Sequence, residues 1–184
     1  FIDTENQIND LKVPKTLEML EEVNWNNFIE NSVISNFHGD FHNENILLTK
    51  NNSFVLLDWR ERFFDSTLEF GDVYYDLGKF KHGLQVNHSI IEKGAFQIQN
   101  KIGNRKFISI NQLSHLVDTE NEFNKWLENN KFNLQHVDMI NALIFLNICA
   151  LHEYPYSIFL YEWGRLKLFK TLNQGSKIEN QKYL

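Results

Sequence analysis

Apolar residues recur at helical spacing over residues 16–29 (TLEMLEEVNWNNFI), where Leu17, Leu20, Val23 and Trp25 predict a helix that ends raggedly in a cluster of Asn. Two short apolar runs follow, at 46–48 and 54–57, separated by Lys50-Asn51-Asn52-Ser53, a pattern that predicts a β-hairpin. Asp72 then stands before a stretch in which Val73, Leu77, Phe80 and Leu84 share one face, as expected of a capped amphipathic helix. Weak alternation on either side of Gly103-Asn104 (Phe96, Ile98; Phe107, Ile108, Ile110) predicts a second hairpin. Three more helices are expected at about 112–129, 134–152 and 156–172. Strands come first and helices dominate afterwards, which is an α+β pattern.

Composition narrows the picture. The chain has 184 residues, 42% of them hydrophobic, which is enough for one domain with a proper core and excludes disorder. Formal net charge is −6 and no Lys/Arg cluster occurs, so neither nucleic acid nor an anionic membrane is the expected partner. The single Cys149, in the run ALIFLNICAL, excludes a disulfide framework and reads as a buried thiol. That run stops at His152 and Glu153, short of membrane-spanning length, and no signal peptide is seen; a cytoplasmic location is expected. His82, His88, His115, His136 and His152 are scattered without metal-ligand spacing and read as packing residues.

The densest chemistry is FHGDFHNENILLTKNNSFVLLDWRE, residues 37–61, which sets polar groups at both ends of the two apolar runs. With Asn51-Asn52 at the centre of a tight turn, Leu48 faces Val55, Leu47 faces Leu56 and Ile46 faces Leu57, and the next pair out is Asn45 with Asp58. Opposed residues have Cβ atoms about 4.5–5.5 Å apart. One carboxamide oxygen and one carboxylate can then converge on a hard cation such as Mg²⁺, whose ligand bonds are about 2.0–2.1 Å. Taken singly, Asn45 reads as a turn end and Asp58 as a cap. Asp40 changes the balance, because three acceptors with few basic groups nearby repel one another unless a cation joins them. Protein kinases use such parts: a loop H-R-D-x-x-x-x-N whose Asp accepts the hydroxyl proton and whose Asn holds Mg²⁺, and a later Asp that holds Mg²⁺ as well. Here the loop is H-G-D-F-H-N-E-N, followed by Asp58-Trp59-Arg60. Gly39 in place of the loop Arg points away from phospho-regulated protein kinases. A dinuclear metallophosphoesterase would need a later Gly-Asn-His block, and Gly103-Asn104 is followed by Arg105.

HGDFHNENIL, LLDWRE and FGDVYYDLGK together resemble the aminoglycoside phosphotransferase and choline kinase-like family, small-molecule kinases of protein-kinase-like fold. The resemblance covers residues 37–80; a looser one, in LNICALHEYPYSIFLYEWGRLKL, is to relatives associated with bacterial surface-sugar synthesis. It implies a kinase-like C-terminal lobe over 1–184, mainly helical, with catalytic loop and metal hairpin at 37–62 and a helical acceptor-side region at 84–184. By the same resemblance Asp40 orients and deprotonates an acceptor hydroxyl, and Asn45 and Asp58 hold Mg²⁺ against the phosphates of ATP or another nucleoside triphosphate. His38 packs the loop, Asp76 braces it from the following helix, and His42 either touches the transferred phosphoryl group or packs the loop. Tyr154, Tyr156, Tyr161 and Trp163 either line an acceptor pocket or pack, and Arg60, Glu61 and Arg62, directly after Asp58, either act at the phosphate or acceptor or form a solvated face, the reading preferred. The acceptor is a small molecule: a cationic amino alcohol or aminoglycoside suits the acidic composition, and a surface-sugar precursor suits the looser resemblance. No G-x-G-x-x-G and no nucleotide lobe precede the motif, so the alternative is an incomplete kinase-like lobe acting as a binding or scaffold module.

Overall fold

The computed structural model describes residues 3–63, 66–67 and 70–181, with side chains described for all of these except 63, 66–67 and 175–181. In chain order the elements are β1 (Asn6–Ile8), β2 (Leu11–Val13), α1 (Thr16–Glu21), α2 (Trp25–Glu30), β3 (Ile34–Asn36), β4 (Ile46–Leu48), β5 (Phe54–Leu56), β6 (Arg62–Phe63), β7 (Ser66–Thr67) and β8 (Phe70–Asp72). Then come α3 (Val73–Gln85), α4 (His88–Glu92), β9 (Phe96–Lys101), β10 (Arg105–Ile110), α5 (Ser114–Asn129), α6 (Leu134–Ile148) and α7 (Tyr156–Gln181). The fold is mixed α+β, and the chain forms two compact units, one of residues 3–25, 88–112 and 142–181, the other of 26–87 and 113–141.

In the first unit a four-stranded sheet runs in the order β2-β1-β10-β9, with β1 parallel to β10 and the other pairs antiparallel. The β9–β10 hairpin forms where alternation predicted it, turning on Gly103 and Asn104, both at positive φ. Ile8, Val13, Ile108, Phe159, Leu160 and Leu168 are fully shielded. Tyr156 and Tyr161 are buried, and Phe159 stacks on Trp163 at 5.7 Å, so these aromatics pack, whereas Tyr154 is exposed. Buried Arg165 donates to Glu162, to Thr4 O and to Pro14 O, and Lys106 pairs with the same Glu162. A buried guanidinium needs this many acceptors to offset its lost hydration.

The second unit is organised on α3. Asp72 caps it by accepting from Tyr74 N–H, and the same oxygen accepts from Val33 N–H, which ties the helix start to the β3–β8 pair. Tyr74 and Leu77 pack with Leu127 of α5 and Val137 of α6 in one core cluster. The single predicted helix at 16–29 is instead two, α1 and α2, broken at the Glu22-Val23-Asn24 bend. One further expectation is corrected. The stretch Leu134–Leu151 has a mean hydropathy of 1.5 over 18 residues, enough to cross a membrane by length and composition, although Gln135, His136, Asp138, Asn141 and Asn147 interrupt it. Val137, Met139, Ala142, Ile144 and Phe145 are buried, as in a helix of a protein core.

Candidate functional site

The 38–45 loop is held from α3. Asp76 Oδ2 accepts from the His38 N–H at 2.7 Å and its Oδ1 from the Gly39 N–H at 2.9 Å. Burial pushes the Asp76 carboxyl up, and the Asp40 charge adds to this against the two N–H bonds. His38 is buried, its Nδ1 accepts from Asp40 N–H at 3.2 Å, and its ring lies 4.8 Å from that of Trp59. Phe41 stacks on Phe80 of α3 at 5.5 Å, so the loop is anchored by its aromatic as well as its backbone. A Cβ on Gly83 would lie 2.6 Å from Asn43 Oδ1 and 2.9 Å from His42 Cβ, so only glycine lets α3 come this close to the loop.

Asp40 is the centre of the arrangement. Lys79 Nζ lies 2.7 Å from its Oδ1 and Arg60 Nη2 3.3 Å from its Oδ2. His42 sits farther off, its Nε2 4.0 Å from Asp40 Oδ1 and its Nδ1 3.9 Å from Glu44 Oε2. Burial alone would raise the Asp40 carboxyl, but the hydrogen bond and charge of Lys79, with the charges of His42 and Arg60, hold it below the usual carboxylate range. The neighbouring Tyr75 hydroxyl is pushed up by its burial and by the Asp40 charge. One feature departs from expectation here. Basic groups are close at hand, so repulsion among acceptors does not by itself demand a cation. Arg60 is exposed like Glu61 and Arg62, as a solvated face implies, but its guanidinium also reaches Asp40.

The hairpin expected to hold a metal needs a larger correction. β4 and β5 pair Ile46 with Leu56, Leu47 with Val55 and Leu48 with Phe54, one residue away from the predicted register. The loop has three residues, not two: Thr49 N–H donates to Ser53 O, and Asn52 alone takes the left-handed conformation, φ 55°. A type I turn followed by a left-handed residue closes a hairpin as well as a two-residue turn does, and it shifts every pair by one. Asn45 therefore faces Leu57, whose N–H donates to Asn45 O at 2.9 Å, and Asp58 lies one residue beyond. Arg60 N–H donates to His38 O at 2.9 Å, so Asp58 sits between two bonds that tie its strand to the loop, at a left-handed φ of 55°. Asp is among the residues that tolerate that region, and non-glycine residues held there concentrate at functional sites.

Asn45 is buried and its Nδ2 donates to Asp40 O at 3.0 Å, a bond that leaves the carboxamide oxygen as an acceptor. That oxygen and the Asp58 carboxylate are hard donors of the kind Mg²⁺ takes, but the observed register does not set the two residues opposite one another. Among the described residues no three His, Cys, Asp or Glu side chains are grouped to hold a metal by themselves. Lys79 was not anticipated from sequence. It stands three residues after Asp76 on α3, on the same face, and that spacing was the available signal. No family model, curated protein or solved structure matches the chain.

Proposed function

We propose that the chain carries the metal- and acceptor-side part of an ATP-dependent small-molecule phosphotransferase, a kinase-like C-terminal lobe that directs a substrate hydroxyl onto the γ-phosphorus of a nucleotide. The observation that carries this reading is the double hold of α3 on the loop: Asp76 fixes its backbone and Lys79 its Asp40 carboxylate. A carboxylate so held and ionised, with Oδ2 engaged only by the longer contact to exposed Arg60, is suited to orient a hydroxyl and take its proton as the O–P bond forms. Asn45 and Asp58 would hold Mg²⁺, which when bound supplies charge neutralisation to the phosphates. His42 contributes a second polar face to Asp40, and His38 fills the space beneath the loop. A second reading, a binding or scaffold module, draws on the exposed apolar residues Leu47, Leu48, Phe54 and Val55 of the hairpin.

The two readings separate on Asp58. Calorimetric titration with ATP in the presence and absence of Mg²⁺ is expected to show Mg²⁺-dependent binding that weakens at least about tenfold in Asp58→Ala, in line with loss of a charged contact. Unchanged affinity in that variant removes Asp58 from any metal role and favours the scaffold reading.

A further inference from the structure

Two cations share one carboxylate at Asp40, and they are not equivalent. Lys79, at 2.7 Å, has a side chain only 12% exposed and is the closer partner of Oδ1. Arg60, at 3.3 Å from Oδ2, is 57% exposed. An exposed pair at that length contributes little, about 0–1 kcal/mol. The guanidinium thus keeps most of its five-donor capacity for something else. Its stem, however, is seated. The Arg60 N–H is bonded to His38 O, and a Cβ on Gly39 would lie 2.7 Å from Arg60 Cβ and 2.8 Å from Arg60 Cγ. Gly39, itself at φ +80°, makes the bed on which Arg60 lies, so the guanidinium is delivered to the outer oxygen of Asp40.

We propose that Arg60 is an anion receptor for the acceptor: the molecule phosphorylated at Asp40 carries a phosphate or carboxylate beside its reactive hydroxyl. This rests on the phosphotransferase reading and names its substrate class. Arg60 leaves Asp40 Oδ2 to grip the anionic group through two parallel N–H bonds, and the hydroxyl takes the vacated place on Oδ2. The hydroxyl proton passes to Asp40 as the acceptor oxygen bonds to the γ-phosphorus of the nucleoside triphosphate. The bond from that phosphorus to the bridging oxygen breaks, and the diphosphate leaves with the electron pair. A cationic acceptor would meet two like charges, Lys79 and Arg60, at the point of reaction. The acidic balance of the whole chain suggests the opposite class, and choline is included among the probes for that reason.

The test is binding of four small probes to the full chain: glycerol 3-phosphate, glycerate, glycerol and choline, measured by calorimetric titration in wild type, Arg60→Gln and Arg60→Lys, with the Arg60 Nε–H resonance followed in wild type alone. At least one of the two anionic probes is expected to bind about tenfold or more tightly than glycerol, as a charge-assisted pair implies, with choline weakest. The two anionic probes distinguish phosphate from carboxylate. Arg60→Gln should abolish the preference and Arg60→Lys restore part of it. Equal affinity for anionic and neutral probes, tighter binding of choline, or binding of none of them overturns the proposal. So does a loss in Arg60→Gln confined to Mg²⁺-ATP affinity, which would assign Arg60 to the nucleotide. Failure of the underlying reading looks different: Asp40→Asn with undiminished phosphoryl transfer ends the phosphotransferase mechanism, whereas transfer to choline preserves it and ends this inference.

Discussion

At the scale of single residues, the site depends on α3 presenting a carboxylate and an amine one turn apart. Asp76→Ala leaves the His38 and Gly39 N–H groups buried without acceptors, and each such group costs about 1–3 kcal/mol. Denaturant unfolding should therefore show a loss of about 2–6 kcal/mol, and amide resonances of residues 38–40 should shift. A loss near zero would mean the loop holds itself. His38, Asp40, Asn45, Asp58 and Asp76 could all be picked out from sequence because they fall in short contiguous motifs. Lys79 could not, because its partner is 39 positions upstream and only the fold reveals the pairing. Arg60 is exposed, as a solvated face implies, and its guanidinium also reaches Asp40. Gly39 lying beneath it is what only the fold reveals.

At the scale of elements, hairpin existence and hairpin register prove to be separate problems. Apolar runs located β4 and β5 to within a residue, since packing and β-propensity act on side chains. Register follows turn geometry, and Asn51 and Asn52 are both able to adopt positive φ; only Asn52 does. Asn52→Gly should be neutral or slightly stabilising, whereas Asn52→Val should cost about 1–2 kcal/mol of left-handed strain by thermal unfolding. A Val variant as stable as the parent would contradict the three-residue loop. Short strands such as β1, β3 and β8, three residues each, left no periodic trace to read. The parallel pairing of β1 with β10 joins segments nearly a hundred residues apart, which no local pattern reports.

At the scale of the molecule, the division into two units was not legible, because each is assembled from separated stretches of chain. The second unit carries a pH liability of its own. His136 is buried, with both ring nitrogens lacking hydrogen-bond partners among the described residues, and it stacks on Tyr74 at 4.2 Å and edge-on to Phe28 at 4.1 Å. Burial pushes its pKa down, against the charge of Asp72. The unfolded chain takes up a proton near pH 6.5, about the ordinary value, while the folded chain does not, so stability falls as pH drops below that point. His136→Phe keeps a ring of similar size, should lie within about 1.5 kcal/mol of wild type at pH 8, and should lose this part of the acid destabilisation. An identical pH profile would show that His136 is not its source.

The central claim is that Asp40 acts on a hydroxyl. It is met most directly by following label from Mg²⁺-[γ-³²P]ATP into hydroxyl compounds in the full-length protein, wild type against Asp40→Asn, with folding checked by circular dichroism. The account expects Mg²⁺-dependent labelling of an acceptor in wild type and a loss of about 10²–10⁴-fold in the folded variant, the usual weight of a positioned general base. Equal labelling by the two proteins, or none by wild type with any acceptor offered, would contradict it.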